Sequence, residues 1–116
     1  MLDIDEMTIL IRAVNTFGAR NQEDVAIEEM SELIKALIKH RRYNTLETKE
    51  NILEEIADVV IMICQLTVIH GFDSEIVDKK INRLKQRLTA AECEIRQNIE
   101  SCEDCGFCEK AGADND

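Results

Sequence analysis

The sequence has no proline and no tryptophan, and its 116 residues include only four glycines, one tyrosine and three phenylalanines. With little to break or turn the chain, and with Ala, Leu, Ile, Glu and Lys dominant, helix is favoured over sheet. The shortage of aromatics means that any core is aliphatic. Positive charge is also scarce: 14 basic side chains face 24 acidic ones, a formal charge of −10. A general nucleic-acid binder needs a basic surface for phosphate contacts, so that class is excluded. No long apolar run is present. The most apolar stretch, Val59 to Ile69, is interrupted by Gln65 and Thr67, and a membrane helix needs roughly twenty apolar residues. The first residues, Met1 to Glu6, are acidic and offer no basic region ahead of an apolar stretch, so no secretion signal is expected. These absences predict one cytoplasmic domain without a membrane anchor. Five cysteines, an odd number, do not read as a disulfide framework.

What is present is helical periodicity. Ile4, Met7, Leu10, Ile11 and Val14 recur at helical spacing up to Phe17, and Gly18 stops the run. A second helix is predicted from about Asn21, as its cap, to Arg41, carrying Ile27, Met30, Leu33, Ile34, Leu37 and Ile38. Tyr43 to Leu46 reads as a short loop, with Thr45 or Thr48 capping a third helix that ends at His70 before Gly71. A fourth begins near Asp73 or Ser74, with Val77, Ile81, Leu84, Leu88, Ala91 and Ile95 spaced as a packing seam. The expected fold is all-α, a four-helix antiparallel bundle in residues 1–101, followed by a cysteine-containing tail in residues 102–116.

Two acidic clusters carry the chemistry. Glu29 and Glu32 lie three residues apart on the second helix, as do Glu55 and Asp58 on the third, so each pair shares a face. Acidic helix faces are usually only solvated. Here Glu55 falls inside the apolar arc, one turn from Ile52, Val59 and Met62, while Asp58 and Glu29 lie at arc edges. A carboxylate on a buried face is costly unless neutralised, paired or bound to metal. The first pair sits about 16 Å before the end of its helix and the second about 13 Å after the start of the next. A short loop brings them to one level. Four converging carboxylates call for a hard divalent cation, Mg²⁺ or Mn²⁺. A di-iron bundle would want Glu-x-x-His motifs, and residues 37 and 67, three before His40 and His70, are Leu and Thr. On the fourth helix Lys80 and Arg83, beside the seam residues Ile81 and Leu84 and with Asn82 between them, are candidates to meet phosphate oxygens, the alternative being a solvated basic face.

The runs Ala26-Ile27-Glu28-Glu29-Met30-Ser31-Glu32-Leu33 and Glu54-Glu55-Ile56-Ala57-Asp58-Val59-Val60-Ile61, with the later Lys80-x-Asn82-Arg83-Leu84, resemble the MazG-type all-α nucleoside triphosphate pyrophosphohydrolases. The resemblance covers about Phe17 to Leu88. It implies Mg²⁺-dependent hydrolysis of a (deoxy)nucleoside triphosphate to monophosphate and pyrophosphate, in nucleotide-pool clean-up. It also implies that Glu29, Glu32, Glu55 and Asp58 are metal ligands, and that Glu32 or Glu29 orients or deprotonates the attacking water. Glu28 points towards solvent and is the weaker member. Lys80, Asn82 and Arg83 would bind substrate, with Gln22 near the nucleobase. The family implies a homodimer or homotetramer.

Cys102, Cys105 and Cys108 form a C-x-x-C-x-x-C run outside that pattern. It reads as a flexible reducible tail, as a Zn²⁺ site short of one ligand (Cys93 being the nearby fourth), or as part of an iron–sulfur spacing lacking its final Cys-Pro. Two rivals to the main reading follow. One is a non-enzymatic interaction module with a zinc-binding tail, which predicts that Glu55 is paired with a basic side chain. The other is a related enzyme acting on phosphoribosyl-ATP.

Overall fold

Helix boundaries follow from local chemistry in a computed structural model, which describes residues 2–97. Helix α1 spans Ile4–Phe17. Asp3 starts it: its Oδ1 accepts from the Glu6 N–H at 2.8 Å, while Glu6 Oε2 accepts from the Asp3 N–H at 2.9 Å. This reciprocal pair satisfies two donors that the first turn leaves open. Gly18, at φ 93°, closes α1 through its N–H to the Val14 carbonyl.

Helix α2, Ala19–Tyr43, follows at once. The expected cap, Asn21, is instead inside its first turn, and its Nδ2 donates to the Phe17 carbonyl at 2.8 Å. Asn21 thus satisfies the end of α1 rather than the start of α2. A single glycine at positive φ makes the turn, so no loop remains for a cap to occupy.

The connection to α3, Leu46–His70, is shorter than expected. Tyr43 and Leu46 are both helical, leaving only Asn44 and Thr45 as the turn. Asn44 adopts the left-handed conformation at φ 46°, which asparagine tolerates better than most residues. Thr45 and Thr48 cap each other's backbone N–H groups at 3.1 and 3.0 Å. His40 Nδ1 lies 2.8 Å from Thr48 Oγ1, tying the end of α2 to the start of α3. Helix α4, Ser74–Gln97, begins where Asp73 Oδ1 accepts from the Glu75 N–H.

The described residues thus contain four α-helices and no strands. The chain divides into two compact units, residues 1–72 and residues 73–116. In the first, α2 and α3 pack together most extensively and α1 lies against both. Their core is aliphatic: Leu10, Val14, Ala26, Ala36, Ile52, Val59 and Met62. Ala26 and Ala36 are the most buried side chains on α2, while Ile27, Ile34 and Ile38 are more than half exposed. Small residues let the α2 and α3 backbones approach, and Ile27, Ile34 and Ile38 fall on the outer face while Leu33 is half-buried. In the second unit α4 carries its seam residues Ile81, Leu84 and Leu88 exposed. The boundary expected after residue 101, and Cys102, Cys105 and Cys108, lie outside the described residues. No described helix is long and apolar enough to cross a membrane.

Along the α2–α3 hairpin, residue numbers rise on one helix as they fall on the other. Gln22 meets Gln65, Glu29 meets Glu55 and Asp58, and His40 meets Thr48. This register positions the site.

Candidate metal centre

Glu29 projects from α2, and Glu55 and Asp58 project from one face of α3. One carboxylate oxygen from each lies within 4.8 Å of the others. Glu29 and Glu55 are half-buried and Asp58 is exposed. Glu55 stands on the apolar arc among Ile52, Val59 and Met62, all buried. Its Oε2 is buried and has no hydrogen-bond partner. A buried acceptor left open in this way is costly.

Electrostatics agree with that geometry. Burial pushes the Glu55 carboxyl above the usual carboxylate range, and the negative charges of Asp58, Glu32 and Glu54 push it further. Glu29 is raised too, first by burial and then by Asp58, Glu55, Glu28 and Glu32. Both groups resist ionisation because low-dielectric surroundings and like charges disfavour a second and third negative charge. The basic partner that a purely structural role would require for Glu55 is not found among the described residues: their ion pairs are Glu32–Lys35 and Glu23–His70.

The donor set suits a hard cation. It consists only of carboxylate oxygens, one of them open and buried, with no imidazole or thiolate among them.

Glu32 stands apart from this triad. It faces the same centre closely enough to raise Glu55, but its Oε1 pairs with Lys35 Nζ at 3.2 Å. Sequence reading missed Lys35, although the three-residue spacing from Glu32 was the available signal. Glu28 is exposed, as its phase required. Gln22, expected near the nucleobase, is inside α2 and buried, and its Nε2 donates to Gln65 Oε1 at 2.6 Å. Lys80, Asn82 and Arg83 are exposed on α4.

No curated protein and no solved structure matches the chain. A family model described as the MazG-like family matches residues 23–100, which takes in α2 from Glu23 onward, α3 and α4, and the chain belongs to that family.

Proposed function

We propose that the protein is a Mg²⁺-dependent nucleoside triphosphate pyrophosphohydrolase that releases pyrophosphate and a (deoxy)nucleoside monophosphate. The observation that carries this reading is the convergence of Glu29, Glu55 and Asp58, with Glu55 Oε2 buried and unpartnered. Family membership supplies the reaction class.

Glu29, Glu55 and Asp58 would hold the ion. Bound there, Mg²⁺ (or Mn²⁺) would neutralise the three charges, stabilise charge on a polyphosphate and activate a water. The remaining tasks fall to the chain's own groups. Glu32 is on the same helical face as Glu29 but tethered to the exposed Lys35. An exposed pair of this kind is weak, so Glu32 is free to leave it, either to complete the ligand set or to accept the proton of the attacking water. Ile52, Val59 and Met62 are buried on the same face of α3 and Glu55 is half-buried there, which strengthens its attraction to a cation. Lys80, Asn82 and Arg83 are kept as proposed phosphate contacts, on the strength of the family resemblance. The same resemblance supports a homo-oligomeric four-helix bundle, and the exposed Ile27, Ile34, Ile38 and Leu53 supply apolar surface for it.

The test is a panel of nucleoside triphosphates with Mg²⁺, read as pyrophosphate against orthophosphate. Pyrophosphate release that is lost in Glu55→Gln supports the proposal. Orthophosphate as the product, or full activity in Glu55→Gln, removes it.

A further inference from the structure

Beside the carboxylate centre the hairpin holds a cleft of about 580 Å³ at its turn, with walls formed by Lys39 and Tyr43 of α2 and by Glu47, Asn51 and Glu54 of α3. That volume is in the range of small-molecule sites. A second hollow of about 250 Å³ shares Lys39 and Tyr43 with it.

Helical phase ties the cleft to the metal centre. Lys39 is seven residues beyond Glu32, and Asn51 is seven residues before Asp58. Seven residues are close to two turns, so each pair shares a face, offset by about 10 Å along the axis. The cleft therefore opens on the same side of the hairpin as the carboxylates, displaced towards the Asn44–Thr45 turn. A ligand whose phosphates reach Asp58 has room for its other end between Tyr43 and Asn51.

The lining decides which end that is. Glu47, Glu50 and Glu54 outnumber Lys39, so a polyphosphate tail would be repelled. Carboxylates and the Asn51 carbonyl instead accept hydrogen bonds from sugar hydroxyls and amino groups. Tyr43, more than half exposed, offers a ring face for stacking. Lys39 is the cation of the cleft's own lining, with Lys35 and Arg42 in the adjoining hollow. At the opposite side of the centre, Gln22 is buried and committed to Gln65.

We propose that this cleft is the nucleoside subsite: the base lies against Tyr43, Asn51 and Glu54 accept from the base or sugar, and the phosphates run from Lys39 to the metal centre. This rests on the pyrophosphohydrolase reading above and adds where the substrate's neutral end sits.

Tyr43→Ala and Asn51→Ala test it with two probes. The first is the nucleoside triphosphate that the unaltered protein turns over fastest. The second is inorganic tripolyphosphate with Mg²⁺, followed by calorimetry, which has phosphates but no nucleoside. KM for the nucleotide should rise on the order of tenfold in Tyr43→Ala, the scale of one lost stacking contact, and by about two- to tenfold in Asn51→Ala, the scale of one lost hydrogen bond, while tripolyphosphate affinity holds. Helicity by circular dichroism confirms folding. An unchanged KM overturns the proposal, as does a parallel loss of tripolyphosphate affinity. If KM is unchanged while Glu55→Gln still abolishes activity, the subsite fails and the enzymatic reading stands. If no triphosphate is hydrolysed, calorimetry with α,β-imido nucleotides decides. Binding weakened by Tyr43→Ala supports the subsite, and binding that is absent or unaffected overturns it.

Discussion

Two neighbouring layers of the α2–α3 hairpin solve the same problem in opposite ways. Gln22 and Gln65 form one layer; Glu29 and Asp58, each seven residues away along its helix, belong to the next. In the first, two neutral amides meet in the core and satisfy each other at 2.6 Å. In the second, three carboxylates meet, none is paired with a cation, and one oxygen is left open. The amide layer is complete without any further component. The carboxylate layer leaves an acceptor open that a cation could fill. A polar pair in a helical core thus reads as structure when its donors and acceptors balance, and as a site when they are all acceptors.

The sharpest way to break this contrast is to make the carboxylate layer neutral. Groups that only orient a metal's ligands are worth about 10–100-fold in activity or affinity, so Glu55→Gln or Asp58→Asn, which alter the proposed ligands themselves, should lower turnover by about 100-fold or more. The same Glu55→Gln should raise the melting temperature of the metal-free protein, because it removes a negative charge crowded by Asp58, Glu32 and Glu54. A fall in that temperature would show that Glu55 stabilises the fold by itself.

Next in size is the metal itself. Mg²⁺ at a hundred times its dissociation constant should stabilise the protein by about 2.7 kcal/mol, measured by urea unfolding, and Glu55→Gln should remove that gain. A comparable effect belongs to the amide layer. Gln22→Ala strands a buried amide and should cost about 1–3 kcal/mol, whereas changing Gln22 and Gln65 together to Leu should cost much less. Equal losses in the single and double variants would mean that the amide pair is not the unit.

The pH response is smaller and opposite in sign to ordinary acid denaturation. Glu29 and Glu55 have carboxyl groups raised above the usual range in the fold. The folded metal-free chain therefore binds protons more readily than the unfolded one, and its stability should rise as pH falls from 7 through the raised values, levelling off below the unfolded value. The Mg²⁺-induced rise in melting temperature should shrink over the same interval, since protons and metal compete. A metal-free protein that instead loses stability from pH 7 downward would contradict the crowding of these carboxylates. Smallest of all, Lys35→Met should change unfolding by no more than about 0.5 kcal/mol, as exposed pairs do.

Much of this was legible in the sequence because helical phase is arithmetic. Glu55 could be placed on the apolar arc by counting from Ile52, Val59 and Met62, and the level of the two acidic pairs followed from helix lengths and a short loop. The features that escaped depend on how closely helices approach. Asn21 looked like a cap because the one-residue turn at Gly18 could not be foreseen. Gln22 looked available because nothing in one helix shows that Gln65 stands opposite. Ile27, Ile34 and Ile38 of α2 looked like core, but alanines took the contact. The cleft at Tyr43 and Asn51 is formed by two helices together, so neither helix alone announces it.

The turn at Asn44–Thr45 has a consequence for how such a chain can vary. With two residues, a reciprocal threonine cap and His40 reaching across, it has no slack to absorb an extra residue. An insertion near it would have to be taken up by α3, which would advance about 1.5 Å and rotate about 100°. Glu55 would then leave the level and the face of Glu29. Substitutions that tolerate the left-handed backbone at position 44 and keep a cap at position 45 are open to drift, but the length of the turn is not.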